Sequence, residues 1–430
     1  MSRRRRERRK WALLGASVCG FAFALALFLN LTLGDKPIDA VVPTLYAAHD
    51  EQFMRTMGSM LGSPLVPGNR VETLVNGDEI FAAMLAALNS ARRTITFEMY
   101  IYWSGSVGKA FADVLSERAR AGVKVHVLVD GIGSEKIEEA YIREMGAAGV
   151  QVRRYNPPRL YTIDRVNNRT HRKLVIVDGA VAFTGGVGIA DQWSGNAQDP
   201  GHWRDTHFRL EGPAVAYMQA AFMDNWTEVT GAVLHGEDYF PPLEKVGHES
   251  AQVFWSSPQS GSQSMHLMYL LALAAAHESI VLSMSYFVPD EVAIKMLVAA
   301  AKRGVKVRII TPGPYVDSDV VRRASRARWG DLLEAGIEMF EYQPTMFHCK
   351  VMVVDAVWTS VGSTNFDNRS FALNDEANLN VYDAAFAQRQ ARVFEEDLKR
   401  SRRVTLEEWE NRPLSEKVTE YAATLLGSQL

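Results

Sequence analysis

The sequence predicts an α/β protein of two similar lobes, preceded by one N-terminal transmembrane helix. Three observations carry this expectation. Residues 11–33 contain no charge, strands alternate with helices after residue 70, and two sequence motifs each occur twice. At 430 residues, 47% hydrophobic and 23% charged, the chain can bury two cores, and global disorder is excluded.

The basic head comes first. Residues 1–10 hold seven of the 47 basic side chains and one of the 50 acids, so the rest of the chain is net −9. So acidic a body lacks the footprint of a polyanion binder, and no nucleic-acid partner is expected. Trp11–Leu33 follows, with Ser17, Asn30 and Thr32 as its clearly polar residues. As a helix it would reach roughly 35 Å, enough to cross a bilayer. A signal peptide has a similar head, but its apolar core is about 7–15 residues, and no small-x-small cleavage site follows Leu33. The arginines should stay cytoplasmic and send the C-terminal body across the membrane. Cys19 lies mid-span and Cys349 is the other cysteine, so no disulfide framework or cysteine-rich metal site can form.

Residues 34–69 read as a linker carrying one short helix, in which Phe53, Met54, Met57, Met60 and Leu61 have roughly helical spacing. Packing is the preferred role for that helix, with membrane docking the alternative. The first lobe is expected over 70–245. It has a helix marked by Ile80, Phe81, Met84, Leu85 and Leu88, a strand at 94–97, a helix near 107–121 and an alternating strand at 123–129. The second lobe, 246–405, repeats this with a helix near 265–277, a strand at 280–282, a helix near 290–303 and a strand at 305–309. Gly-Val-Lys-Val occurs at 122–125 and again at 304–307. Residues 406–430 read as a helical tail.

The longer repeat carries the chemistry. His171-Arg172-Lys173 leads into an apolar run, Asp178 and Gly185-Gly186, and His348-Cys349-Lys350 leads into another, Asp355 and Gly362-Ser363. The copies lie 177 residues apart with matching intervals. Residues i and i+2 of a strand share a face, so each His projects beside its Lys. An ammonium beside an imidazole suits a phosphate ester: one neutralises non-bridging oxygens, while the other attacks phosphorus or moves a proton. Asp178 and Asp355 complete the motif and stand with His171, Lys173, His348 and Lys350 as candidate catalytic residues, although their odd offset and the Asp178-Gly179 pair favour turn or strand-end structure.

With these motifs the chain resembles the phospholipase D superfamily, whose signature is His-x-Lys-x4-Asp-x6-Gly-Gly/Ser in two copies, over about residues 70–400. Asn168–Leu174, Gly185–Asp191, Trp203–His207, Tyr286–Glu291 and above all Gly362–Glu376 look like its bacterial cardiolipin synthase branch. The resemblance implies two phospholipase D-like lobes packed face to face around one shared active site. It also implies phospholipid substrates, with phosphatidylglycerol preferred, a bilayer as partner, and no metal or cofactor. The expected residence is a bacterial inner membrane. The expected reaction passes through a phosphohistidine. Hydrolysis or head-group exchange is the rival reading, and a nuclease or an inactive scaffold is less favoured.

The resemblance also assigns roles. Lys173 and Lys350 bind phosphate, Asn365 contacts a phosphate oxygen, and Asp205 and Glu376 orient the histidines. His171 is expected to be the nucleophile and His348 the general acid. In that reading Asn365 and Glu376 support His348, while Gly188, standing where Asn is usual, leaves room beside His171. Glu98 could reach the site or make a local salt bridge. His202 and His207 lack further ligands at metal-binding spacing, and Cys349 should face away from the site as a buried thiol.

Overall fold

The structure, a computed structural model, describes residues 3–32, 38–157, 167–257 and 263–425. The chain divides into two units, Met1–Ile38 and Asp39–Leu430. In the first, the basic head and the apolar run form one continuous helix, Arg3–Thr32. Among the described residues, no helix is long and apolar enough to cross a membrane. Leu33, where the expected span ends, lies outside the described residues, as do the side chains of residues 26–32.

The second unit is organised by one large mixed sheet with helices on its faces. From its middle strand, Val66–Val75, the order outward on one side is Thr206–Glu211, Val181–Gly185, Lys173–Val177, Thr94–Met99, Lys124–Asp130 and Gln151–Tyr155. On the other side lie Glu249–Ser256, Asn374–Tyr382, Trp358–Gly362, Lys350–Val354, Ser279–Met284, Lys306–Pro312 and Glu338–Tyr342, with Ser401–Val404 at the edge. Apart from that edge strand, the two halves have the same strand order. Each His-x-Lys strand lies between an antiparallel hairpin partner and the first strand of a parallel pair. The expected helices appear at Ser106–Arg120, Ser264–Ala275 and Glu291–Lys302.

Two expectations need correction. The 34–69 segment is not all linker, because Val66–Val75 pairs antiparallel with Thr206–Glu211 on one edge and Glu249–Ser256 on the other. Pro67 and Gly68 disguise its start, and the register shifts between Val66 and Asn69, where such residues are tolerated. The halves also do more than pack face to face: through this strand they are hydrogen-bonded edge to edge into one sheet.

They share a core as well. Leu174 and Ile176 of one half and Val351 and Val353 of the other meet Phe222, Trp226, Phe386 and Phe394, from the helices Val215–Thr230 and Ala384–Leu398. Each such side chain contributes about 1.5–3 kcal/mol on full burial. The short helix Glu51–Leu61 packs as expected: it buries Phe53, Met57 and Leu61, and sets Phe53 edge-on to Trp358 at 6.0 Å. The tail forms Leu406–Glu410 and Leu414–Thr424, and residues 426–430 lie outside the described residues.

Candidate active site

Both His-x-Lys triplets enter their strands extended, so alternation sorts their side chains as expected. Lys173 Nζ donates to the carbonyl of His171 at 2.8 Å, and Lys350 Nζ to that of His348 at 2.8 Å. The middle residues go the other way. Arg172 is fully buried and donates to the Ala221 carbonyl and to Asp224, while Cys349 is buried with Sγ 3.9 Å from the Arg204 carbonyl.

The two triplets meet because each approach segment crosses to the other half. Arg169–Thr170 pairs in parallel with Asn374–Asp375, and the His171 amide donates to the Asp375 carbonyl at 2.9 Å. In the mirror arrangement Phe347 bridges Arg204, and the His348 amide donates to the Arg204 carbonyl at 2.8 Å. The residue after each acceptor is a carboxylate, which therefore faces the opposite half's histidine. Glu376 lies 3.0 and 3.1 Å from His171 Nδ1, and Asp205 lies 2.8 Å from His348 Nδ1. Glu376 thus serves His171 and not His348, which corrects the sequence expectation. The partners of the carboxylates fit their lengths. Ser363 Oγ donates to Glu376 at 2.5 Å, whereas Asp205 accepts from Trp193 Nε1 at 2.9 Å and from the Thr206 amide at 2.8 Å. At Gly186, where the other half has Ser363, a Cβ would stand 2.2 Å from Asp205 Oδ1. Only glycine fits there.

Burial sets the electrostatics. It pulls His171 down to about 4, reinforced by Lys173 and Lys350 and opposed by Glu376. His348 is likewise lowered by burial and Lys350, against Asp205 and Asp317. Burial and the like charge of Lys350 bring Lys173 down to about 7. A carboxylate on each Nδ1 fixes the imidazole so that Nε2 is the nitrogen left to react, and at His348 that nitrogen lies 3.3 Å from Lys350 Nζ.

The histidines open into a cavity of about 190 Å³, whose lining includes Tyr100, Lys173, Tyr286 and Asn365. Pockets that enclose drug-sized ligands run to about 300–1,000 Å³, so this one has room for a smaller group only. Tyr100 stands edge-on to His171 at 4.9 Å, as Trp193 does to His348 at 5.3 Å. The buried Asn365 Oδ1 has no hydrogen-bond partner among the described residues.

Gly188 does not make room beside His171. A Cβ there would lie 2.9 Å from Ile101 Cβ and 3.2 Å from Trp193, which already fill the space. The aspartates of the motif stay away from the cavity. Asp178, in a left-handed turn with φ 52°, accepts from the amides of Arg92, Arg93 and Thr94. Asp355, φ 50°, accepts from those of His277, Glu278 and Ser279. Each ties a hairpin to the start of the neighbouring strand, as their offset suggested, so the repeat marks them without making them reactive. Glu98 is buried behind the site, accepting from Thr170 Oγ1 at 2.5 Å and Asn225 at 2.7 Å. His202 pairs with Asp199 at 2.7 Å, and His207 is buried beneath Gly185. Trp193, Tyr100, Asp317, Arg169 and Arg369 were not singled out in the sequence, because none repeats between the halves.

Comparison with known proteins agrees with this geometry. The family model described as "Cardiolipin synthase, PLD-like domain" matches residues 84–198 and 269–398. A cardiolipin synthase of Geobacillus kaustophilus (strain HTA426) is 35% identical over 387 residues, covering 89% of this chain and 77% of that protein. One from Listeria monocytogenes serotype 4a (strain HCC23) is 36% identical over 368 residues, covering 85% and 76%. Among solved structures, phosphatidylserine synthase of Haemophilus influenzae Rd KW20 superposes with a TM-score of 0.69 at 14% identity, over 88% of this chain and 100% of that one, a likeness of fold. With paired His-x-Lys strands meeting at one cavity and relatives matched over most of its length, the chain belongs to the phospholipase D-like cardiolipin synthase family.

Proposed function

We propose that the chain makes cardiolipin by moving a phosphatidyl group between two phosphatidylglycerols. The observation that carries this is one cavity lined by both His171 and His348, each imidazole oriented by the other half's carboxylate. His171 Nε2 attacks the donor phosphorus, and a P–N bond forms as the P–O bond to glycerol breaks. His348 gives its proton to the departing oxygen. It then takes the proton from a hydroxyl of the second phosphatidylglycerol, whose oxygen displaces His171 to give cardiolipin. Lys173 and Lys350 neutralise the non-bridging oxygens, and Asn365 contributes its amide N–H.

The division of roles rests on charge. Glu376 favours the imidazolium at His171 against two ammoniums, Lys173 and Lys350; at His348, Asp205 and Asp317 favour it against Lys350. The neutral nucleophile therefore belongs at His171 and the acid at His348. Membrane anchoring by the helix Arg3–Thr32, N-terminus in the cytoplasm and catalytic body outside, is supported by the basic head and the run of uncharged residues after it.

Purified protein given phosphatidylglycerol vesicles should release one glycerol per cardiolipin formed, read by thin-layer chromatography and a glycerol assay. Phosphatidic acid as the sole product would make the chain a hydrolase. A reporter active only outside the cytoplasm, fused after Leu430, should be active, and its silence beside an active cytoplasmic reporter would reverse the orientation.

A further inference from the structure

A surface helix normally turns its apolar side to the core and its charges to water. The helix Leu414–Thr424 departs from that pattern. Leu414, Val418, Tyr421 and the capping residue Leu425 recur at intervals of four, three and four, so they share one face. That face points away from the protein, and its four side chains are 60–75% exposed. The packed side carries Ala423, which meets Val321 and Ala324, and the buried acid Glu420. Glu420 accepts from Arg326 Nε at 3.1 Å and from Arg412 Nε at 2.7 Å, and Glu416 lies 3.9 Å from Arg326. Ion pairs therefore fix the helix from below, and its acids are turned away from the outward stripe. Lys417 stands exposed beside that stripe, a turn from Leu414 and Tyr421.

We infer that this stripe is a docking surface for a phospholipid bilayer, which seats the catalytic body with its cavity at the level of the head groups. The inference rests on the reading of the chain as a synthase of membrane lipids. The stripe lies one helix away from the cavity: Val321, on the helix Asp319–Ala327, lines the cavity and packs with Ala423. Tyr315 and Val320 are exposed as well, on either side in sequence of Asp317 and Ser318, which also line the cavity or its wall. A cavity of about 190 Å³ has no room for a whole diacyl lipid, so a substrate has to be worked on while its chains stay in the bilayer. An apolar stripe next to that cavity, with a lysine at its side, meets the needs of an interfacial helix. Its side chains enter the boundary between head groups and acyl chains, and the ammonium meets lipid phosphates. The helix Glu51–Leu61, the other candidate for docking, instead buries Phe53, Met57 and Leu61 in the core.

The test presents one head group to the full chain in two ways. The protein is held in phosphatidylcholine vesicles. Long-chain phosphatidylglycerol is mixed into that bilayer, or dihexanoyl-phosphatidylglycerol is dissolved in the water as monomers, and glycerol release is measured. The first route alone needs the cavity seated at the bilayer. Val418→Gln combined with Leu425→Gln should lower the ratio of bilayer to monomer turnover by about tenfold or more, the worth of taking one such side chain out of water. Val418→Leu should keep the wild-type ratio. In a Cys19→Ser chain, where Cys349 is buried, a fluorophore on Val418→Cys should be quenched by lipids spin-labelled in their acyl chains. An unchanged ratio in the double variant would overturn the docking surface, whether both turnovers fall together, as for a structural role, or neither falls. Absence of quenching would overturn it too, as would a wild-type dimer that the double variant splits, which would give the stripe to a second copy. Glycerol release without cardiolipin would defeat the synthase reading and leave this ratio readable.

Discussion

The crossing of the two carboxylates makes a prediction that an uncrossed site would not. Glu376 is fully buried and engages His171 Nδ1 at 3.0 and 3.1 Å, so Glu376→Gln replaces a charged acceptor with a neutral one against a single imidazole. Hydrogen bonds to charged groups are worth about 1.5–3 kcal/mol, which corresponds to a rate loss of about 10–150-fold in whichever step His171 performs. Asp205→Asn should do the same to His348 alone. A phosphatidyl donor with p-nitrophenol as leaving group separates the steps, because that group departs without a proton. In stopped flow, the nitrophenolate burst that accompanies phosphohistidine formation should slow by that factor in Glu376→Gln and stay near wild-type rate in Asp205→Asn. With phosphatidylglycerol as donor, both variants should be slow. A burst slowed by Asp205→Asn and spared by Glu376→Gln would reverse the nucleophile assignment. Equal slowing of both would refute the division of labour.

Three further outcomes follow from the packing and the charges. Gly188→Ala should cost about 1–3 kcal/mol in urea unfolding through overpacking against Ile101, and Ile101→Ala in the same chain should restore much of it. Asp178→Ala and Asp355→Ala should each lose about 1–3 kcal/mol of stability by orphaning backbone amides, with near-normal kcat per folded molecule; a lost kcat at unchanged stability would make them reactive groups. Lys173 is lowered when folded from an ordinary 10.5 to about 7, so between those values the unfolded chain binds more protons and this residue's penalty on stability fades as pH rises. The stability advantage of Lys173→Met over wild type should therefore be largest below pH 7 and shrink toward pH 10, by urea titration at each pH.

What could be read from the sequence was what depends on short range and repetition. Residues i and i+2 on a strand share a face whatever surrounds them, so the His-Lys pairs were visible from spacing alone. The first two helices and strands of each half were visible from their own periodicity, but later elements such as Val215–Thr230 and Ala384–Leu398 were not. The identity of each histidine's carboxylate was not, because it depends on which chain segment crosses which: Thr170 beside Asp375, and Phe347 beside Arg204. Gly188 was misread as open space because nothing in a linear pattern says that Ile101 and Trp193 fill it. The strand Val66–Val75 was hidden by Pro67 and Gly68, residues that end strands unless a bulge absorbs them. Arg169 and Arg369 stand outside the repeat, and only the cavity places them together.

The exchange of approach segments has a consequence for how the enzyme fails. Because each histidine takes its orienting carboxylate from across the seam, opening of that seam strips both imidazoles of their partners at the same moment. No partly opened form keeps one half in working order. A protein that holds an activated phosphoryl group near water is most dangerous when half assembled, since a loosely held phosphohistidine hydrolyses and wastes a lipid. Here the two histidines are interlocked through each other's halves, so a breathing motion that admits water would also part each imidazole from its carboxylate.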